Sequence, residues 1–176
     1  MAEYEAAHKE HINKYKMAHM IGVSEYMRER AADYGLNPDI MYTIGLLHDI
    51  GYVNARADHE RYGAEMLSAI GVDEHITFAI AHHGENLYDV EKNYGKDAIT
   101  SGFILVMEAD MSVDVRGYRV GFDGRLADII RRYGEDHIAV ATVKDNIRYI
   151  KEYQKEHGIR LPKITTSSPK LSTITH

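Results

Sequence analysis

The chain has no cysteine, no tryptophan and only three prolines among its 176 residues. Without cysteine there are no disulfides and no thiolate metal ligands. Scarce proline leaves long stretches free of helix breakers. No apolar run approaches the ~18 to 20 residues that span a bilayer. The opening MAEYEAAHKEH is polar and charged, unlike a secretory signal. Positive charge is also in short supply. The formal net charge of −6 argues against a surface that coats nucleic acid, because such binding needs a basic footprint. These absences predict a cytoplasmic protein with no membrane and no nucleic-acid partner. The length fits one domain of ordinary size.

What the chain has in excess is histidine, 11 residues with no tag-like run. In a protein without thiols, this directs attention to nitrogen and oxygen metal ligands. The apolar pattern is helical almost throughout. Residues 14 to 33 place Tyr15, Ala18, Met20, Val23, Met27 and Ala31 near a 3.6 period. Asn37 followed by Pro38 reads as an N-cap and first helical residue, opening a helix over about 38 to 51. Asp58 and Asp73 cap two more, ending near Ile70 and His83. Residues 84 to 96 read as a loop, an apolar helix follows, and 112 to 124 form a second loop. Helices over about 124 to 133 and 136 to 156 complete the chain. Strand signals are poor. The expectation is an all-α domain over 1–158, with a Ser/Thr-rich extended tail over 159–176.

The segment YTIGLLHDIGY puts His48 and Asp49 inside an apolar helix. Burying an unpaired carboxylate costs several kcal/mol by rough estimate, and a divalent cation compensates well. His19, His59, His82, His83 and Asp110 each have an ordinary alternative as a core, capping or surface residue. The ordered set does not: His, His-Asp, His, His-His, Asp, each at the end or inner face of a helix. Two metals bridged by one carboxylate need about this inventory.

These residues resemble the HD-domain superfamily, named for its adjacent His-Asp. LLHDIG is similar to the HDIG form of the motif, and HERYGAEML, AHHG and EAD resemble the later histidine and aspartate elements. The likeness runs from about 14 to 116 and implies an all-α helical bundle of six to eight helices, nearest to small nucleotide hydrolases. It implies that His19, His48, Asp49 and Asp110 hold a first metal. Asp49 would also bridge to a second, held by His59 and by His82 or His83. Fe, Mn, Co, Ni and Zn all suit such ligands. The spare histidine of the pair is the candidate proton donor to the leaving oxygen, and His83 is a candidate for that role as well as for ligation.

The implied reaction is hydrolysis of a phosphate ester or anhydride in a nucleotide or similar small metabolite. Arg116, six residues after Asp110, resembles a phosphate-binding arginine of dinucleoside tetraphosphate hydrolases, and Arg119 shares its loop. Arg56, Arg61 and Arg125 read as solvated charges. Tyr52 stands where many HDIG hydrolases have lysine. Some similar HD proteins are mixed-valent di-iron oxygenases acting on organophosphonates or polyols, which is the alternative reading. A homodimer is compatible with the sequence.

Overall fold

A computed structural model describes residues 2–53 and 58–160, with side chains from residue 15 onward. Its α-helices are α1 (Ala2–Arg30), α2 (Pro38–Leu47), α3 (His59–Ala69), α4 (Glu74–His82), α5 (Leu87–Tyr94), α6 (Ser101–Asp110), α7 (Gly121–Tyr133) and α8 (Ile138–Glu156). Among the described residues β pairing is limited to an isolated bridge between Val113 and Arg119. The all-α bundle is therefore as expected. The expected tail lies, from residue 161 on, outside the described residues, as does Arg56.

Local chemistry sets most helix ends. Asn37 accepts hydrogen bonds from the backbone of Asp39 and Ile40, with Pro38 in the first helical position. Thr100 caps α6 through the Phe103 amide and Asp73 caps α4 through the His75 amide. Two departures from the sequence reading matter. The stretch read as a loop over 84 to 96 contains α5, because Asn86 is its N-cap and Gly95 its stop. Those polar residues bound a two-turn helix rather than interrupt one. Helix α2 also ends earlier than expected, at Leu47, and the chain turns through His48 and Asp49 into a short 3₁₀ turn at Ile50–Val53.

Helix α6 is the centre of the bundle. Every residue from Phe103 to Ala109 is buried, so it presents no solvent face. It packs against α1, α2, α4 and α8, while α1 also lies along α2. The α1–α2 approach is close at Gly45, where an added Cβ would sit 2.7 Å from Ser24 Cα. The Ile50–Val53 turn meets α3 equally closely. A Cβ on Gly51 would run into the His59 carbonyl and sit 2.7 Å from the Gly63 nitrogen.

One polar system pins this packing. Glu108 on α6 is wholly buried. It accepts from Tyr26 (2.6 Å), Arg30 Nε (3.1 Å), Gln154 Nε2 (2.9 Å) and the Tyr34 hydroxyl. Burial raises both phenols above their ordinary pKa, and the Glu108 carboxylate adds to it, so both stay donors. Glu108→Ala would remove the buried acceptor shared by Tyr26, Tyr34, Arg30 and Gln154. It is expected to cost about 3–5 kcal/mol of unfolding free energy, measured by urea denaturation; a loss under 1 kcal/mol would refute this role.

Candidate metal centre

Four imidazoles converge on Asp49 from four segments. His19 comes from the middle of α1, His48 from the end of α2, His59 from the start of α3 and His83 from just past α4. Neighbouring rings stand 5.3 Å (His19–His48), 5.4 Å (His48–His83) and 5.5 Å (His59–His83) apart. The end of α2 explains how adjacent His48 and Asp49 serve one centre. Consecutive residues within a helix diverge by about 100°, whereas these two occupy the turn after the helix.

The two oxygens of Asp49 face different partners. Oδ2 lies 3.5 Å from His48 Nε2 and 3.9 Å from His19 Nε2. Oδ1 lies 3.2 Å from His59 Nε2 and 3.5 Å from His83 Nε2. Asp110, from the last turn of α6, stands 2.9 Å from His19 Nε2 and 3.9 Å from His48 Nε2.

The second nitrogens of three rings are tied to backbone carbonyls. His48 Nδ1 donates to Gly45 O (2.7 Å), His83 Nδ1 to Ile80 O (2.7 Å) and His19 Nδ1 to Asp114 O (3.1 Å). These bonds hold each ring with its Nε2 facing inward. His48 Nε2 is wholly buried and makes no hydrogen bond. Lone pairs aimed at carboxylate oxygens repel unless a proton or a cation lies between them. The donor set, imidazole nitrogen and carboxylate oxygen without thiolate, suits a divalent transition metal. The residues present therefore fit such an ion. Among the described residues, the groups close enough to share one are His19, His48 and Asp110; His48, Asp49 and His83; and His59, Glu60 and His83.

The electrostatics agree with that fit. Burial would raise the Asp49 carboxyl, but the field of His48, hydrogen bonds from His59 and His83, and the Lys16 ammonium hold it far below the usual range. Burial acts likewise on Asp110 and is outweighed chiefly by the hydrogen bond from His19 and the charge of the Arg125 guanidinium. Burial takes the His48 imidazole down to about 4. Burial also opposes charge on His83, yet its hydrogen bond to Asp49 and the nearby carboxylates bring it up to about 8.

The structure separates the adjacent histidines. His83 is in the cluster. His82 points away, with Nδ1 2.8 Å from Glu85 Oε1 and its ring against Phe78 and Tyr94. Arg116 is 63% exposed and folded onto Asp114, beside an open cavity of about 590 Å³ that also meets Tyr15 and Asp128. Arg119 pairs with Glu29. Neither arginine reaches the histidine cluster in this structure.

Three residues at the centre had not stood out in the sequence. Lys16 Nζ donates to Asp49 Oδ2 (2.7 Å) and lies 3.7 Å from the Tyr52 ring centroid. Its position three residues before His19 on one helix face is a signal that could have found it. Glu60 Oε2 lies 3.0 Å from His59 Nδ1, without hydrogen-bond alignment. Arg125, read from sequence as a solvated charge, is only 14% exposed and stands 3.8 Å from Asp110. Nothing in the sequence couples it to a site fifteen residues away.

The sequence profile of the HD domain matches residues 17–111, more than half of the chain. The chain therefore belongs to the HD domain family. Ribonuclease Y of Fervidobacterium nodosum is 41% identical over 73 residues, which make up 39% of this chain and 14% of that relative. The chain thus spans a small part of the relative's length. No solved structure matches the chain.

Elemental analysis of two variants would separate the histidine pair. His83→Ala is expected to lower the metal held per chain, and His82→Ala to leave it unchanged. Equal loss in both variants would place His82 in the centre.

Proposed function

We propose that the chain is a metal-dependent phosphohydrolase. It would cleave a phosphate ester or anhydride of a nucleotide or a similar small phosphorylated metabolite by attack of water. The carrying observation is the convergence of four Nε2 atoms on both oxygens of Asp49, with Asp110 beside them. Membership of the HD domain family supports the same reading. His19, His48, Asp49 and Asp110 would hold one cation, and Asp49, His59 and His83 a second. Divalent cations, when bound, make water a nucleophile near neutral pH and offset charge on phosphoryl oxygens.

The chain's own groups do the rest. Asp49 orients what lies on either side of it, since its oxygens face two sets of histidines. The carbonyls of Gly45, Ile80 and Asp114 hold three rings in fixed orientations. His82 stands outside the cluster, so it is badly placed to protonate a leaving oxygen. Lys16 is the better donor. Burial would lower its pKa, but the charge of Asp49, the hydrogen bond to it, and the nearby Tyr52 and Asp110 together outweigh this and keep Nζ protonated. That N–H can serve a phosphoryl or leaving oxygen as negative charge builds there. Lys16 also stands in space beside Tyr52, where the sequence lacks the lysine common in similar hydrolases.

A second reading has one observation behind it. The relative is named Ribonuclease Y, which points to phosphodiester bonds in RNA. The net charge of −6 works against a long polyanion on this chain alone. A panel of nucleotides, phosphate monoesters and a short oligoribonucleotide separates the two readings. The manganese-loaded protein should release phosphate from a small substrate without oxygen. Cleavage of the oligonucleotide alone would favour the second reading. Iron-dependent oxygen consumption without phosphate release would overturn both. Lys16→Met is expected to retain its metal and lose about a hundredfold in turnover; unchanged turnover would remove Lys16 from the reaction.

A further inference from the structure

Arg125 lies one turn into α7, and its side chain is directed at the carboxylates rather than at solvent. Its Nε and Nη1 are buried with no hydrogen-bond partner among the described residues. Nη2 stands 3.8 Å from Asp110 Oδ1, beyond hydrogen-bond distance. Guanidinium carries five N–H donors, and leaving them unmet inside a protein is costly.

The other arginines of low exposure are satisfied. Arg30 is bonded to Glu108, Asp33 and the Arg160 carbonyl. Arg119 holds Glu29 through both terminal nitrogens. Arg125 differs because the nearest carboxylate, on Asp110, has its Oδ1 already engaged by His19 Nε2 at 2.9 Å. The fork thus remains free at the edge of the centre. Its planar donors match two oxygens of a phosphoryl group, a fit that a lysine point charge lacks.

We propose that Arg125 binds the phosphoryl group of the substrate, contacting its non-bridging oxygens beside Asp110. This rests on the phosphohydrolase reading and deepens it. Arg125 would act in ground-state binding, with Lys16 serving the charge that develops during reaction. The pairing of Arg116 with Asp114 and of Arg119 with Glu29 leaves those two with fewer free donors for this task.

Two measurements on the full chain, loaded with manganese, test the assignment. One is the affinity for inorganic phosphate by calorimetry, and the other is KM for whichever panel substrate is cleaved. Arg125→Gln should keep its metal content while phosphate affinity falls and KM rises, each by about tenfold to a hundredfold. Arg125→Lys keeps the charge without the fork and should fall between Arg125→Gln and the parent; it also serves if Arg125→Gln does not fold. Parent-like phosphate affinity and KM in both variants would overturn the assignment while leaving the hydrolase reading intact. Loss of metal with phosphate affinity restored by excess manganese would also overturn it, giving Arg125 the role of steadying Asp110. Phosphate binding that depends on Arg125, in a protein that cleaves no phosphate substrate, would uphold the anion site and sink the hydrolase reading.

Discussion

The arrangement of the bundle turns on one buried carboxylate. Asp49 is almost wholly buried, and an ionised carboxylate in that position costs several kcal/mol by rough estimate unless positive charge meets it. Both of its oxygens therefore need partners, from different directions. One side is met by α1 and the end of α2, the other by the start of α3 and the end of α4. No two consecutive helices could do this alone. Carbonyls at Gly45, Ile80 and Asp114 complete the arrangement, because a ring with one nitrogen tied offers the other in a fixed direction.

A second buried carboxylate sets the register that the first one needs. Glu108 and Asp110 are two residues apart on α6, so they point to roughly opposite sides of the helix. Glu108 gathers Tyr26 and Arg30, and Asp110 meets His19. On α1 these three partners recur at intervals of seven and four, which puts them on one stripe. Sliding α1 along α6 would break both sets at once. The stability of the core and the geometry of the candidate centre thus share one helix-to-helix contact. The centre itself gathers imidazole nitrogens around two carboxylates that are largely withdrawn from water, a local arrangement that binding of a cation would stabilise.

The arginines show how burial sorts residues of one type. Arg61, Arg116, Arg131 and Arg148 pair with neighbours in sequence and stay largely in solvent, where such pairs contribute little. Arg30 is buried and saturated. Arg125 is buried and unsaturated. In sequence all of these are the same letter, with nothing to tell their surroundings apart.

By itself the sequence determined the all-α class, most helix starts, and the ordered set of His, His-Asp, His, His-His and Asp that resembles the family. Those features are local: caps, apolar periodicity, and titratable residues in apolar segments. It also misled where a local cue was ambiguous, reading Asn86 and Gly95 as a loop although they cap α5. Tertiary structure decided which member of the His82–His83 pair faces Asp49, since one residue is a rotation of about 100° and only the packing of α4 says which way is inward. It also decided that Lys16 from α1 and Arg125 from α7 stand at the carboxylates, while Arg116 folds onto Asp114. Such choices depend on distances between segments far apart in the chain, which no local pattern encodes.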